Sequence, residues 1–148
     1  MTFNVNLTIT NIQEAQDANL RAIAALQPDG EFGEAIRDAV TMLHRYATSI
    51  THLGRYRQSK SGRWHYDLQG TGGGALRASQ SMEVRGLYGR VFIDPSSVNP
   101  MTGQKPSVYG VYENARGGTH AFYDRTISEY GDQVMNDVGR RVAFAVVK

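Results

Sequence analysis

Four basic residues, Arg55, Arg57, Lys60 and Arg63, fall within nine positions with no acid among them, and Tyr56, Trp64 and Tyr66 are interleaved. Cations of this density neutralise backbone phosphate, and aromatic faces stack on bases, which is the mixture used by nucleic-acid binders. The same mixture suits a solvated arm that packs its Trp on a neighbouring subunit, because one basic segment is not a groove. On sequence both readings stand.

Other arrangements carry less chemistry. Gly70-Thr-Gly72-Gly-Gly-Ala75 matches the dinucleotide pattern G-x-G-x-x-G/A, and Asp94 ends a strand downstream as that motif expects. Too few residues separate Gly74 from the next strand for a crossover helix, and the further strands of a doubly wound sheet are missing. A small nucleotide-binding enzyme is therefore the weakest reading, and a flexible glycine linker is the simpler one. His44, His52, His65 and His120 form no H-x-x-x-H pair and have no acidic cluster at ligand spacing. Glu113 and Asp124 could be cast as an acid/base pair, but they stand eleven positions apart in unrelated context. No G-x-S-x-G elbow is present, and cysteine is absent, which removes thiol nucleophiles, disulfides and Cys-type zinc sites. No catalytic constellation stands above background, and no cofactor or metal is expected.

The elements that must position these residues are legible from periodicity. The 148 residues suffice for one domain with a core, and 20% charged residues with a formal net charge of +2 describe a globular composition. No apolar run is long enough to span a membrane, and Met1–Ile9 does not read as a signal peptide. Phe3, Val5, Leu7 and Ile9 alternate with polar residues and predict a half-buried strand. Asn11 and Glu14 resemble a capping box opening a helix to about Gln27, with Ile12, Ala15, Ile23 and Leu26 facing inward. Pro28-Asp-Gly30 stops it, and a second helix follows over 31–52 with Phe32, Ile36, Ala39 or Val40, Leu43, Ala47 and Ile50 on one stripe.

From 53 to 74 no period is sustained, which predicts a long loop. Ala75–Ser79 leads into a hairpin, with Met82 and Val84 on one face, a turn at Gly86-Leu-Tyr-Gly89, and Arg90–Asp94 returning. A second long loop spans 95–107, and Val108–Asn114 reads as a short helix. Thr119 is the expected N-cap of a long C-terminal helix whose stripe is Tyr123, Ile127, Tyr130, Val134, Val138, Val142 and Ala145. Gly131 and Gly139 interrupt that helix and make a separate row with Met135 and Ala143. Small residues in such a row permit close approach by another backbone; the plainer reading is a weak helix. The predicted class is α+β: a small antiparallel or mixed sheet, shared by Phe3–Ile9 and the Ser79–Asp94 hairpin, covered by two long helices and carrying long extended loops.

In order along the chain stand a helix over Ala35–Ile50, then Gly74-Ala-Leu76-Arg77-Ala-Ser79 and Gly89-Arg-Val91-Phe-Ile93. Tyr109-Gly-Val-Tyr112-Glu113 follows, and then Ala121-Phe122-Tyr123 leading to Ile127. From Glu31 onward this series resembles the tail-completion or neck family of long-tailed bacteriophages. The resemblance implies a non-enzymatic structural virion protein at the head–tail junction, assembled in the host cytoplasm into a homo-oligomeric ring around the DNA channel. A hexamer is the preferred order and a dodecamer the other, with further neck and tail proteins as partners, non-specific contact with the phage genomic DNA, and no membrane. Within that frame Arg55, Arg57, Lys60 and Arg63 are candidates for the DNA channel or an interface. Trp64, Tyr66, Gly131 and Gly139 are candidates for subunit contacts. The alternative from another class is a monomeric nucleic-acid-binding module using the basic loop 55–66.

Overall fold

The computed structural model describes residues 12–66 and 72–147, and within these the side chains of Arg55, Tyr56, Trp64 and Tyr66 are not described. The expected Phe3–Ile9 strand, its place in a sheet, and the Asn11 cap lie outside the described residues. The class is α+β, as the periodicities predict.

The organising element is helix α2 (Glu31–Ile50), which follows α1 (Ile12–Ala25) after a tight turn. The turn is tight because glycine stands at its closest contacts. A Cβ on Gly33 would lie 1.8 Å from the Pro28 carbonyl oxygen, and one on Gly30 would lie 2.3 Å from that of Ala24. Along α2, Ala35, Val40 and Ala47 are buried. One side of the helix receives α5 (Phe122–Val147), the other the hairpin of β4 (Gln80–Arg85) and β5 (Tyr88–Ile93). Gly89 lets β5 approach, since a Cβ there would meet Val40 Cγ2 at 2.2 Å. The hairpin turns through Gly86-Leu87, with Gly86 at φ 58°, so Tyr88 and Gly89 belong to the returning strand. Glu83 and Arg90 face each other across the ladder and form an ion pair at 2.7 Å.

The predicted loop over 53–74 is partly a sheet. β1 (Arg55–Gln58) pairs antiparallel with β2 (Trp64–Tyr66) on one edge and with β3 (Gly72–Gly73) on the other. The short strands alternate basic and aromatic residues, so no apolar period reveals them.

The Gly74–Ser79 motif is a structural clasp. Gly74 sits at φ 83°, left-handed backbone that favours glycine, and opens the single helical turn α3 (Ala75–Ala78). Leu76 is buried, and Ser79 Oγ donates to the Leu76 carbonyl at 2.9 Å. The Arg77 guanidinium donates to the carbonyls of Thr51 (2.7 and 3.1 Å) and Ser49 (3.0 Å), closing the C-terminal end of α2. A buried relay continues from there. Tyr123 Oη donates to Gln80 Oε1 at 2.9 Å, Gln80 Nε2 to Thr51 Oγ1 at 3.1 Å, and Thr51 Oγ1 to the Ala47 carbonyl at 2.6 Å. The relay ties α5, β4 and α2 at one point, and burial pushes the Tyr123 phenol up to about 12.

Pro106 begins α4 (Pro106–Ala115), where the short helix is expected. A Cβ on Gly110 would lie 2.4 Å from Ile93 Cδ1 and 2.8 Å from Leu76 Cδ1, so glycine sets how closely α4 lies on the core. After a 3-10 turn at Gly118–His120, α5 starts at Phe122 and not at Thr119. Its cap comes from another helix: Asn114 Oδ1 accepts from the Tyr123 backbone N–H at 2.9 Å, while Asn114 Nδ2 donates to Asp124 at 3.2 Å.

Two expected faces are corrected. Ile12, Ala15, Ile23 and Leu26 are exposed, and only Ala25 of α1 is buried. On α5, Val134 and Val138 are buried as expected, but Ile127 is 62% exposed while Thr126 and Phe122 are buried. A step of four carried back from Val134 through Tyr130 reaches Thr126 and Phe122. The step of three to Ile127 rotates off the covered face.

Candidate nucleic-acid interface and subunit contacts

The basic segment forms the three-stranded arm. Its strands make their extensive contacts with one another. The turn at its tip is closed by its own hydrogen bonds: Ser59 N–H to the Arg63 carbonyl at 2.8 Å, Gly62 N–H to the Ser59 carbonyl at 2.9 Å, and Gln58 Nε2 to the Gly62 carbonyl at 2.9 Å. Gly62, at φ 82°, supplies the left-handed residue. Lys60 and Arg63 are exposed at this turn, and Arg57 is exposed on β1.

Tyr56 pairs with Tyr66, Arg57 with His65 and Gln58 with Trp64. Directly paired residues share a face, and successive residues alternate. Arg57 and His65 are therefore on one face, and Gln58 is on the other. The arm also concentrates charge. Residues 55–73 hold 4 of the 16 Lys and Arg and 1 of the 14 Asp and Glu, Asp67, which leaves 12 bases and 13 acids elsewhere. The positive net charge of the chain thus resides in the arm.

Several other arginines are engaged by nearby carboxylates. Arg85 and Arg90 pair with Glu83, Arg125 with Glu129, Arg140 with Asp137, and Arg141 with Asp38 at 2.7 Å. Glu129 also accepts a hydrogen bond from Tyr46, whose ring lies 4.1 Å from that of Tyr130. That bond first, and Arg125 after it, hold the Glu129 carboxyl below its usual range; the same bond holds the Tyr46 phenol above its own.

The candidate contact row on α5 is open. A Cβ on Gly139 would meet nothing within 4 Å, and one on Gly131 only Ile127 Cγ2 at 3.5 Å. Met135, between them, is 69% exposed. Beside this row a groove of about 520 Å³ runs between α2 and α5, lined by Ala35, Ala39, Met42, Val134, Val138 and Phe144 among others. Elsewhere Leu20 of α1 is 64% exposed, and Val111 and Tyr112 of α4 are 65% and 70% exposed.

One polar cluster was not foreseen. His52 and His120 stack with ring centroids 4.8 Å apart, beside a cavity of about 470 Å³ that Glu113, Arg116, Asn99 and Tyr109 also line. Sequence spacing could not pair them, because they are brought together only by the docking of α4 and the 3-10 turn beneath the end of α2. Glu113 accepts from His120 Nδ1 at 2.8 Å and from Arg116 at 3.2 Å. Asp124, the other half of the acid/base pair considered from sequence, is instead held by Asn114. Glu113 therefore acts as a clasp between α4 and the turn. Among the described residues no three His, Asp or Glu are placed to hold a metal ion, and no helix is long and apolar enough to cross a membrane.

No family model, curated protein or solved structure matches the chain.

Proposed function

We propose that this chain is a structural protein of a tailed-phage virion, forming a closed homo-oligomeric ring at the head–tail junction with DNA passing through its lumen. The observation that carries the reading is the apolar helix surface that the protomer leaves uncovered. Leu20, Val111, Tyr112 and Met135, on three different helices, are each more than three-fifths exposed. Exposed apolar groups on several faces of a small domain call for partners. Different patches on one protomer suit heterologous contacts, which close into rings when the rotation permits. The resemblance in element order from Glu31 onward supports the same reading, with a hexamer preferred over a dodecamer and neck and tail proteins as axial neighbours. Trp64 is the candidate anchor, since an aromatic is the natural hot spot in so polar a segment. The basic arm taken alone favours a second reading, a monomeric nucleic-acid-binding module.

A cryo-EM map of the virion neck tests the proposal. The expected result is density for this chain in a symmetric ring around the DNA axis. Its absence from the neck, or its presence as isolated copies, overturns the proposal.

A further inference from the structure

Two exposed apolar surfaces of the protomer differ in shape and in charge. The first is the outer side of α4. Pro106 and Gly110 are buried on its inner side, which fixes how the helix is rotated. Val108, Val111, Tyr112 and Ala115 recur at steps of three and four and share the outer side, where the first three are each 60% or more exposed. Lys105 and Arg116 stand at the two ends of this row. Glu113, the one acid of the helix, is on the inner side, held by His120 and Arg116. The second surface is the open side of α5. Ile127, Gly131, Met135 and Gly139 form one row at steps of four, with Ile127 and Met135 each more than three-fifths exposed. Gly131 leaves a gap between those two side chains, which stand about 12 Å apart along the helix. Asp124 and Asp132 border the row, and Arg125, the one base of residues 122–139, is taken by Glu129.

We infer that the outer side of α4 in one protomer packs on the row Ile127, Gly131, Met135 and Gly139 of α5 in the next copy, head to tail. This rests on the ring reading of the proposed function and names the two surfaces that make its repeating contact. Both surfaces are exposed within the protomer, and Asn114 pins α4 to the first turn of its own α5, so the two meet only between copies. Rows at steps of four on two helices interdigitate in the commonest class of helix packing. Tyr112 enters the gap at Gly131, and Val108 and Val111 lie against Ile127 and Met135. Charge selects the same partner, since cations end one surface and acids border the other. The side chains of Lys105 and Asp132 form no hydrogen bond or ion pair among the described residues, so each is free to pair across the contact and fix its direction. Packing α4 on α4, or α5 on α5, would instead oppose like charges. A head-to-tail contact that repeats between unlike surfaces closes into a ring when the rotation permits.

The chain has no cysteine, so introduced single cysteines report the contact directly. Val111→Cys and Met135→Cys are made in separate full-length chains, mixed at near-millimolar concentration and oxidised, with particle mass measured on the same samples. A disulfide between unlike chains is expected, with little or none between like chains. Tyr112→Asp and Met135→Asp place a charge in the apolar contact and are expected to raise the concentration for half-assembly by about tenfold or more. Lys105→Glu and Asp132→Lys should each raise it about threefold, as befits an exposed ion pair, and the two reversals combined in one chain should restore it. Circular dichroism shows that each variant keeps its fold, and the restoring pair separates lost charge from lost structure. Assembly that forms without the mixed disulfide and is indifferent to Tyr112→Asp overturns the assigned surfaces, leaves α4 to a different partner, and leaves the ring reading standing. A disulfide between two Val111→Cys chains in equal yield overturns the head-to-tail arrangement in favour of a two-fold contact. Charge reversals whose effects add when combined overturn the assigned direction. A protomer mass at every concentration contradicts the ring itself, and the inference with it.

Discussion

Gly131 and Gly139 lie in the interior of a 26-residue helix, where each costs about 1 kcal/mol relative to alanine. Within the protomer nothing compensates. An added Cβ meets open space at Gly139 and an ordinary van der Waals contact, Ile127 Cγ2 at 3.5 Å, at Gly131. The double substitution Gly131→Ala and Gly139→Ala is therefore expected to stabilise the isolated protomer by about 2 kcal/mol. For a chain of this size that corresponds to a rise in Tm of about 4–8 °C. If the row exists for close approach by another subunit, the same change should weaken assembly. The assay pairs thermal unfolding at high dilution with particle mass at high concentration. A more stable protomer with a lower assembled mass is the expected result. A more stable protomer with unchanged assembly would refute the interface role of the row, and a less stable protomer would refute the packing analysis. Gly33→Ala is the internal contrast. Its Cβ would sit 1.8 Å from a backbone oxygen, so the same chemical change in another helix should destabilise by about 1–3 kcal/mol.

Three further outcomes are expected. Asn114→Ala removes the cap from the first turn of α5 and should cost about 1 kcal/mol, with faster amide hydrogen exchange confined to that turn. Arg77→Lys replaces a guanidinium that reaches two carbonyls with a single ammonium and should cost about 1.5–3 kcal/mol by denaturant unfolding. Glu129, Glu83 and Asp94 are held below their usual range, chiefly by hydrogen bonds from Tyr46, Arg90 and Ser96 respectively. A lowered folded-state pKa means stability that is present above pH ~5 and lost as pH falls through the folded values. Unfolding midpoints should therefore decline in acid, and Glu129→Gln should decline less steeply over that range.

Much of the fold was legible because it rests on long periods. The helix Glu31–Ile50, the Gln80–Ile93 hairpin, the Pro106–Ala115 helix and the C-terminal helix all stand where apolar spacing and turn residues predict. What escaped lacked such a signal or depended on contacts distant in sequence. The arm's strands are short and alternate cations with aromatics, so they read as loop. The cap of α5 is supplied by a different helix, a choice that Thr119 with its flanking glycines conceals. The exposed side chains of α1 read as core because periodicity reports an apolar face without reporting what covers it. Of the candidate site, sequence found the basic and aromatic residues of the arm. The pairing register of its strands and the contact of the His52 and His120 rings required the tertiary fold.

The proposed ring assembles through this chain's own uncovered surfaces. The most direct measurement is the native mass of the purified full chain from nanomolar to near-millimolar concentration. The expected result is a shift from the 16.4 kDa protomer to a discrete species at six times that mass, or twelve times, without open-ended growth. A protomer mass at every concentration would contradict it.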